Sequence, residues 1–424
     1  MVYVNIIDKL KKRGFIAQCT DELELLKIVA HNSISLYCGF DITADSLHVG
    51  HLLPLLCLRN FQQSGHQPII LLGGATSLIG DPSFKNKERK LMDINTIFIW
   101  EKKIRKQISL FLNFNNEFNN AKIINNYDWF SKINMIAFLR DIGKYFSVNQ
   151  MISKEAVKNR IESSDMGISF TEFSYNLLQA YDFSILNKQY KVILQIGGSD
   201  QWGNIVSGIT LTRRLFQNIV FGLTIPLLVK KDGIKFGKTE TGTIWLDAEK
   251  TSPYKFYQFW INQPDNKVFS FLNLFTDLSD NEIKEIHHAN KNCYNIARNL
   301  LAEKITYLVH GHPGVSAAKR ITNFLFSGCI NNMLYSDFLQ LKKDGIPFIE
   351  LSESEDLQQA LVISSLASSR RNARNMITSK AIYINNNLII NEKFVFKKSD
   401  RIFNQFTILR RGKKHYCLLC WHIA

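Results

Sequence analysis

The sequence predicts an α/β protein in which a parallel-sheet domain with a helical insertion is followed by a helical segment and a small α+β unit. Three observations carry that prediction. Short apolar runs alternate with helical patterns through the first 230 residues. Glycine pairs, Gly73-Gly74 and Gly197-Gly198, close two of those runs. Residues 252–345 carry helical patterns without a strand signal, and β-rich runs return only after them. Strand–helix alternation with right-handed crossovers builds a parallel sheet, and such sheets bind ligands beyond the carboxyl ends of their strands.

Residues 34–39 (Ile-Ser-Leu-Tyr-Cys-Gly) predict a buried strand, followed by a helix over 47–64 that stops near Gly65. Pro68 to Leu72 predicts a second strand, 86–112 a helix, and Ala121 to Ile124 a third strand. The stretch 132–190 is mostly helical and interrupts the alternation as an insertion. Lys191 to Ile196 predicts a strand, Gln201 to Phe216 a helix, and Leu223 to Val229 another strand. The final unit, 352–424, predicts two amphipathic helices (355–366 and 369–379) and then short strands.

Hydrophobic residues make up 46% of the chain and aromatics 12%, enough to fill a core, which excludes global disorder. The net charge of +15 favours a polyanionic partner. Met1 to Leu10 already carries Asp8 and Lys9 and has no signal-peptide pattern, and no stretch approaches the ~20 apolar residues of a membrane span, so a cytoplasmic protein without membrane contact is expected. Seven scattered cysteines fit reduced thiols. Cys417 and Cys420, flanked by His415 and His422, read as a terminal strand with an accidental spacing, and no protein-bound metal is expected.

Two short motifs carry chemistry. His48 and His51, with Gly50 between them, sit three residues apart at the start of the first helix, where phosphates are favoured. Lys235-Phe236-Gly237-Lys238-Thr239 places two lysines in a pliant, glycine-bearing loop able to follow a developing phosphate charge. Lys85 and Arg89 are candidates to meet the same phosphates from the other side. In the helix around 171–182, Tyr175, Gln179 and Asp182 fall at i, i+4 and i+7 on one face, flanked by Leu177, Leu178 and Phe183. A polar stripe with apolar flanks suits a lined pocket.

The run Tyr37-Cys38-Gly39-Phe40-Asp41-Ile42-Thr43-Ala44-Asp45-Ser46-Leu47 before His48-Val49-Gly50-His51, together with the KFGKT loop, resembles the HIGH and KMSKS signatures of class I aminoacyl-tRNA synthetases. The residues between them are similar to those of bacterial-type tyrosyl-tRNA synthetases, and the resemblance spans essentially the whole chain. It implies a Rossmann-like catalytic domain over 1–230, a KMSKS-like loop and α-helical anticodon-side domain over 231–350, and an RNA-binding domain over 352–424. It implies catalytic roles for His48, His51, Lys235, Lys238 and Thr239. It puts Tyr175, Gln179 and Asp81 at the substrate ammonium, Tyr37 and Asp182 at the phenol, and Gln201 in the same tyrosine-binding site. It puts ATP among Gly39, Asp41, Thr43, His48, Gly50, His51, Gly198, Asp200, Lys235 and Lys238. The implied reaction joins L-tyrosine to tRNA-Tyr by way of ATP, with Mg2+ accompanying the nucleotide, in a homodimer whose contacts lie around 132–165.

Selectivity has a physical reason. Phenylalanine would leave Tyr37 and Asp182 buried and unpaired. A tyrosyl-tRNA synthetase can reject phenylalanine by this effect at ~10⁵-fold. A tryptophanyl enzyme shares the fold, but indole has no hydroxyl for that pair to read. A non-catalytic RNA-binding protein on the same fold is the other alternative, and the intact His48, His51, Lys235 and Lys238 weigh against it. The segment from Ser368 to Asn385 resembles the small RNA-binding module first described in a ribosomal protein, the S-four fold. Its Arg370, Arg371 and Arg374, with Arg410, Arg411, Lys413 and Lys414, are the expected tRNA phosphate contacts.

Overall fold

A computed structural model describes residues 5–83, 92–163, 167–229, 236–239, 242–289, 294–328, 330, 332–352, 356–412 and 415–422. The chain divides into two compact units. One comprises Met1–Asp247 with Phe269–Ala289, the other Ala248–Val268 with Asn290–Ala424.

The first unit is built on a six-stranded sheet of β1 (Gln18–Cys19), β2 (Ser35–Asp41), β3 (Gln67–Gly73), β4 (Lys122–Asn125), β5 (Val192–Gly198) and β6 (Phe221–Ile225). Its order is β1-β6-β5-β2-β3-β4. Strands β2 to β6 pair in parallel, as expected, and their apolar runs are buried on both faces. The antiparallel edge strand β1 is not foreseen in the sequence, because two residues carry no periodicity. From β2 the chain winds outward through β3 and β4, and later returns through β5 and β6 on the other side. The crevice at that switch lies at the carboxyl ends of β2 and β5.

Local signals set the helices. Asn5 and Asp21 cap Ile6–Arg13 and Glu22–His31 by accepting backbone N–H bonds. Ser169 caps the Phe170–Tyr190 helix, whose 21 residues carry the predicted polar stripe. The helix expected over 47–64 is Leu52–Gln63, preceded by a 3₁₀ turn at Val49–His51. The helix expected over 86–112 is Ile94–Ile108 among the described residues. The insertion comprises short helices at Met135–Asp141, Val148–Ile152 and Glu155–Ser163. It is tied to the long helix by a buried ion pair, Arg160 Nη2 to Glu172 Oε2 at 3.0 Å. A two-residue hairpin, β7 (Lys238–Thr239) and β8 (Gly242–Thr243), follows β6.

The second unit holds the helices Pro253–Ile261, Tyr294–Ser327 (broken at Gly311) and Tyr335–Gln340, then a five-stranded sheet. That sheet comprises β9 (Phe348–Leu351), β10 (Ile382–Ile384), β11 (Asn387–Leu388), β12 (Phe406–Arg411) and β13 (His415–Trp421), in the order β11-β10-β12-β13-β9. Strand β9 lies on the amino-terminal side of the boundary expected at 352, yet pairs in parallel with β13. One sheet face packs Leu409, Cys417, Leu419 and Trp421 against Leu357, Leu361, Ala373 and Ile377 of the Leu357–Ile363 and Arg370–Thr378 helices. The other packs Phe406, Ile408, Leu418 and Cys420 against Ile321, Phe324 and Phe338. Cys417 and Cys420 therefore point to opposite faces and cannot share a ligand. Burial pushes the Cys417 thiol up to about 12.

Candidate active site

The two signatures meet through the backbone. Val49 N donates to Ile244 O at 3.1 Å, Leu246 N to Leu47 O at 2.8 Å, and Ile244 N to Gly237 O at 2.8 Å. Gly237 sits at φ +86° with Val49 where a Cβ would go, so only glycine suits this close approach. Phe236 is buried and packs edge-on against Phe271, with centroids 5.2 Å apart.

The His48–His51 turn organises its own rings. Gly50 N donates to His48 Nδ1 and His48 N donates to His51 Nδ1, both at 3.1 Å. An accepting Nδ1 leaves the proton on Nε2, so each neutral ring offers an N–H donor. The rings stack with centroids 3.9 Å apart. Burial, then the neighbouring His48, pushes His51 well below the ordinary imidazole value, which keeps it neutral. A Cβ on Gly50 would come within 2.8 Å of the His48 ring.

Within β2, the Tyr37 hydroxyl is buried and has no hydrogen-bond partner among the described residues. Its ring meets Phe183 edge-on at 5.3 Å. Burial, then the charge of Asp182, raises its pKa well above the ordinary phenol value, so it stays protonated. Asp182 is 2% exposed. Its Oδ1 accepts from Trp129 Nε1 at 2.9 Å and its Oδ2 from Asn126 Nδ2 at 3.1 Å. Burial still raises its pKa well above the usual carboxylate range, the two donors only partly offsetting that. A buried hydroxyl without a partner, beside a poorly solvated carboxylate, awaits a polar group that both donates and accepts.

Asp41, placed with the nucleotide by resemblance, also anchors two hydroxyls of the pocket: Oδ2 accepts from the Tyr175 hydroxyl at 2.9 Å and Oδ1 from Thr76 Oγ1 at 2.8 Å. Asn126 also donates to Thr76 Oγ1, at 3.0 Å, joining Asp41 to Asp182. Because Tyr175 donates to Asp41, its oxygen keeps lone pairs for an incoming cation. Asp81 Oδ2 accepts from Gln201 Nε2 at 2.8 Å. Asn204 Nδ2 donates to Gln179 Oε1 at 3.0 Å and to Gln201 Oε1 at 3.3 Å. Beyond it, Asn176 Nδ2 donates to Asn204 Oδ1 at 2.7 Å, and Lys154 Nζ to Asn176 Oδ1 at 2.9 Å. Burial lowers the Lys154 pKa to about 8.

The structure thus brings Asp81, Gln179 and Gln201 into one hydrogen-bonded network and Tyr175 and Asp182 into another, with Tyr37 beside Asp182, Gly39 within β2, Gly198 at the end of β5 and Thr43 exposed just past β2. Lys85, Arg89, Lys235, Lys413 and Lys414 lie outside the described residues, as do the side chains of Lys238 and Thr239. Asn126, Trp129, Lys154 and Asn204 were missed. Asn126 had a legible signal, since it follows directly on β4 at the edge of the crevice. In the second unit, Arg370 pairs with Asp356 at 2.9 Å and Arg374 Nε donates to Gln358 Oε1 at 3.1 Å, while Arg371 is exposed. Arg410 lies over the Tyr383 ring at 4.0 Å and donates to Asn386, and Arg411 donates to Leu366 O at 2.6 Å. These last two serve the fold of the small sheet as well as its charge.

Residues 30–327 match the family model of class I tRNA synthetases of the tryptophan and tyrosine type, and residues 337–419 that of the tyrosine–tRNA ligase SYY-like C-terminal domain. The chain is 59% identical over 423 residues to a tyrosine–tRNA ligase of Pectobacterium atrosepticum, covering 99% of this chain and 100% of that protein. It matches a tyrosine–tRNA ligase of Escherichia coli at the same 59%, with the same coverage of 99% and 100%. Among solved structures it is similar to a C-terminally truncated mitochondrial tyrosyl-tRNA synthetase of Aspergillus nidulans, with TM-score 0.69 and 30% identity, over 76% of this chain and 94% of that one. A tryptophanyl-tRNA synthetase of Encephalitozoon cuniculi shares the fold at TM-score 0.53 and 15% identity, over 74% and 87% of the two chains.

Proposed function

The chain belongs to the tyrosine–tRNA ligases of the class I aminoacyl-tRNA synthetases, and from that premise we propose how its residues divide the reaction. The enzyme activates L-tyrosine with ATP, giving tyrosyl-adenylate and pyrophosphate, and then passes the tyrosyl group to the 3′ end of tRNA-Tyr. In the first step a tyrosine carboxylate oxygen bonds the α-phosphorus while the bond to the pyrophosphate oxygen breaks in line. No side-chain nucleophile takes part, so positioning and phosphate-charge stabilisation carry the rate.

Tyr37 donates to the substrate phenol oxygen and Asp182 accepts its proton. Asp81, Tyr175 and Gln179 accept from the α-ammonium, and Gln201 steadies Asp81. The Nε2–H groups of His48 and His51 donate to phosphate oxygens, and Lys235 and Lys238 follow the departing pyrophosphate, with Thr239 beside them. Gly39, Asp41, Thr43, Gly50, Gly198 and Asp200 border the nucleotide, and Lys85 and Arg89 meet its phosphates from the far side. Neutral N–H donors suit phosphate oxygens and not a cation, so Mg2+ enters with ATP, held by phosphate and water. The 1–230 region does this chemistry with the KMSKS-like loop that opens 231–350, the helical part of 231–350 serves the anticodon side, and 352–424 binds tRNA phosphates.

Met135 and Ile136, 69% and 70% exposed, with Val148 at 56%, leave apolar surface on the insertion that suits a homodimer. A monomer in sedimentation at micromolar concentration would remove that reading. No helix among the described residues is long and apolar enough to cross a membrane, and we place the enzyme in the cytoplasm.

The buried, unpartnered Tyr37 hydroxyl beside Asp182 is the observation that carries the tyrosine pocket. ATP–pyrophosphate exchange should run with tyrosine and not with phenylalanine or tryptophan. Tyr37→Phe should narrow the tyrosine-over-phenylalanine preference by ~1–3 kcal/mol, one buried hydrogen bond. An unchanged ratio places Tyr37 outside the pocket.

A further inference from the structure

A cation at one end of an amide chain fixes the direction of every amide in it. The Lys154 ammonium is donor-only, and it donates to Asn176 Oδ1, Gly203 O and the Ser207 hydroxyl. Asn176 must then turn its Nδ2 toward Asn204, which accepts on Oδ1. Asn204 in turn has only Nδ2 left for Gln179 and Gln201, whose oxygens both face it. With its oxygen held there, Gln201 directs Nε2 at Asp81. Reversing any one of these amides sets donor against donor or oxygen against oxygen.

We propose that Lys154 is a positioning residue for the α-ammonium subsite, orienting Gln179 and Gln201 through Asn176 and Asn204. The proposal rests on the pocket reading given above. Lys154 belongs to the insertion, between the helices Val148–Ile152 and Glu155–Ser163, whereas its partners stand on Phe170–Tyr190 and Trp202–Phe216. The short-helix part of the insertion thereby joins the network that lines the substrate pocket. A Cβ on Gly203 would lie 3.7 Å from Lys154 Cδ, so the stem is packed over that helix as well. Burial that lowers the Lys154 pKa is consistent with an ammonium held for its geometry and not for solvent-facing charge.

Lys154→Met keeps the stem and removes the donor. Three ligands test it by equilibrium binding: L-tyrosine, tyramine (which keeps the ammonium) and 3-(4-hydroxyphenyl)propionate (which lacks it). Tyrosine and tyramine should bind ~10-fold more weakly, the effect of losing one charge-assisted hydrogen bond in a connected site. The propionate should bind unchanged, and the KM for ATP and the tyrosine-over-phenylalanine preference should hold. Adding Asn204→Ala to Lys154→Met should cost no more than Asn204→Ala alone, because the two residues act in series. Equal weakening of all three ligands, or a lowered Tm with unchanged binding, overturns the proposal and leaves Lys154 a structural residue. If Lys154→Met does not fold, Asn176→Asp replaces it, since a second oxygen facing Asn204 reverses the same chain. Asp81→Asn separates the two readings. If it fails to discriminate tyramine from the propionate, the pocket itself is misassigned. If it discriminates and Lys154→Met does not, only the role of Lys154 falls.

Discussion

His51→Ala should slow tyrosyl-adenylate formation by ~10²–10³-fold while tyrosine affinity stays within about twofold, as expected for a donor whose partner gains charge in the transition state. The warrant is the ring's arrangement: Nδ1 is held by the His48 backbone N–H, which commits Nε2–H to donation. Because burial keeps His51 neutral, the wild-type rate should show no titration of this ring between about pH 6 and 8. Lys238→Ala should behave like His51→Ala, since β7 and the backbone bonds around Gly237 put that residue next to Gly237, which packs on Val49. Single-turnover quenched-flow with separate tyrosine binding distinguishes the effects. A raised tyrosine Kd with an unchanged activation rate would falsify the phosphate assignment.

Charge reversal at Arg371 and Arg374 should lower tRNA charging by roughly 10²-fold at about 0.1 M salt and leave pyrophosphate exchange untouched. It should also flatten the salt dependence of tRNA binding, because fewer counterions are released. Point changes test this more cleanly than deleting 352–424. Deletion strips Phe406, Ile408, Leu418 and Cys420 from a core that also holds Ile321, Phe324 and Phe338. Arg371 is exposed and Arg374 makes one side-chain bond to Gln358, so neither reversal should unfold the unit. Normal charging by the doubly reversed enzyme would mean that this helix does not meet tRNA.

The parallel strands were legible because strands buried on both faces read as unbroken apolar runs, as in Gln67–Gly73. The Tyr175–Gln179–Asp182 stripe was legible because helical spacing alone aligns it. Other features depend on partners distant in sequence, and no local pattern holds them. Gln18–Cys19 becomes a strand only by pairing with Leu223 and Thr224. Phe348–Leu351 becomes one only beside Leu418 to Trp421. The turn at His48 was expected as plain helix, and its 3₁₀ geometry follows from ring-to-backbone bonds. Asn176 and Asn204 carry no signal in the sequence, because the direction of their amides comes from Lys154, distant in the chain. Arg410 and Arg411 are expected tRNA phosphate contacts in the sequence, and their contacts with Tyr383 and Leu366 appear only once the small sheet is closed.

The parallel pairing of β9 with β13 has a consequence for synthesis on the ribosome. The sheet's final strand in sequence lies between β12 and β9, and its side chains enter both adjoining cores. Phe348–Leu351 therefore emerges early and waits for residues 415–421 before it has a neighbour. Such long-range closure is slow relative to local helix formation. The residues proposed for adenylate formation all belong to the unit of Met1–Asp247 with Phe269–Ala289. A nascent chain should thus acquire amino-acid activation well before it can grip tRNA, and a chain stalled within the last sheet should expose apolar faces that proteases and chaperones recognise.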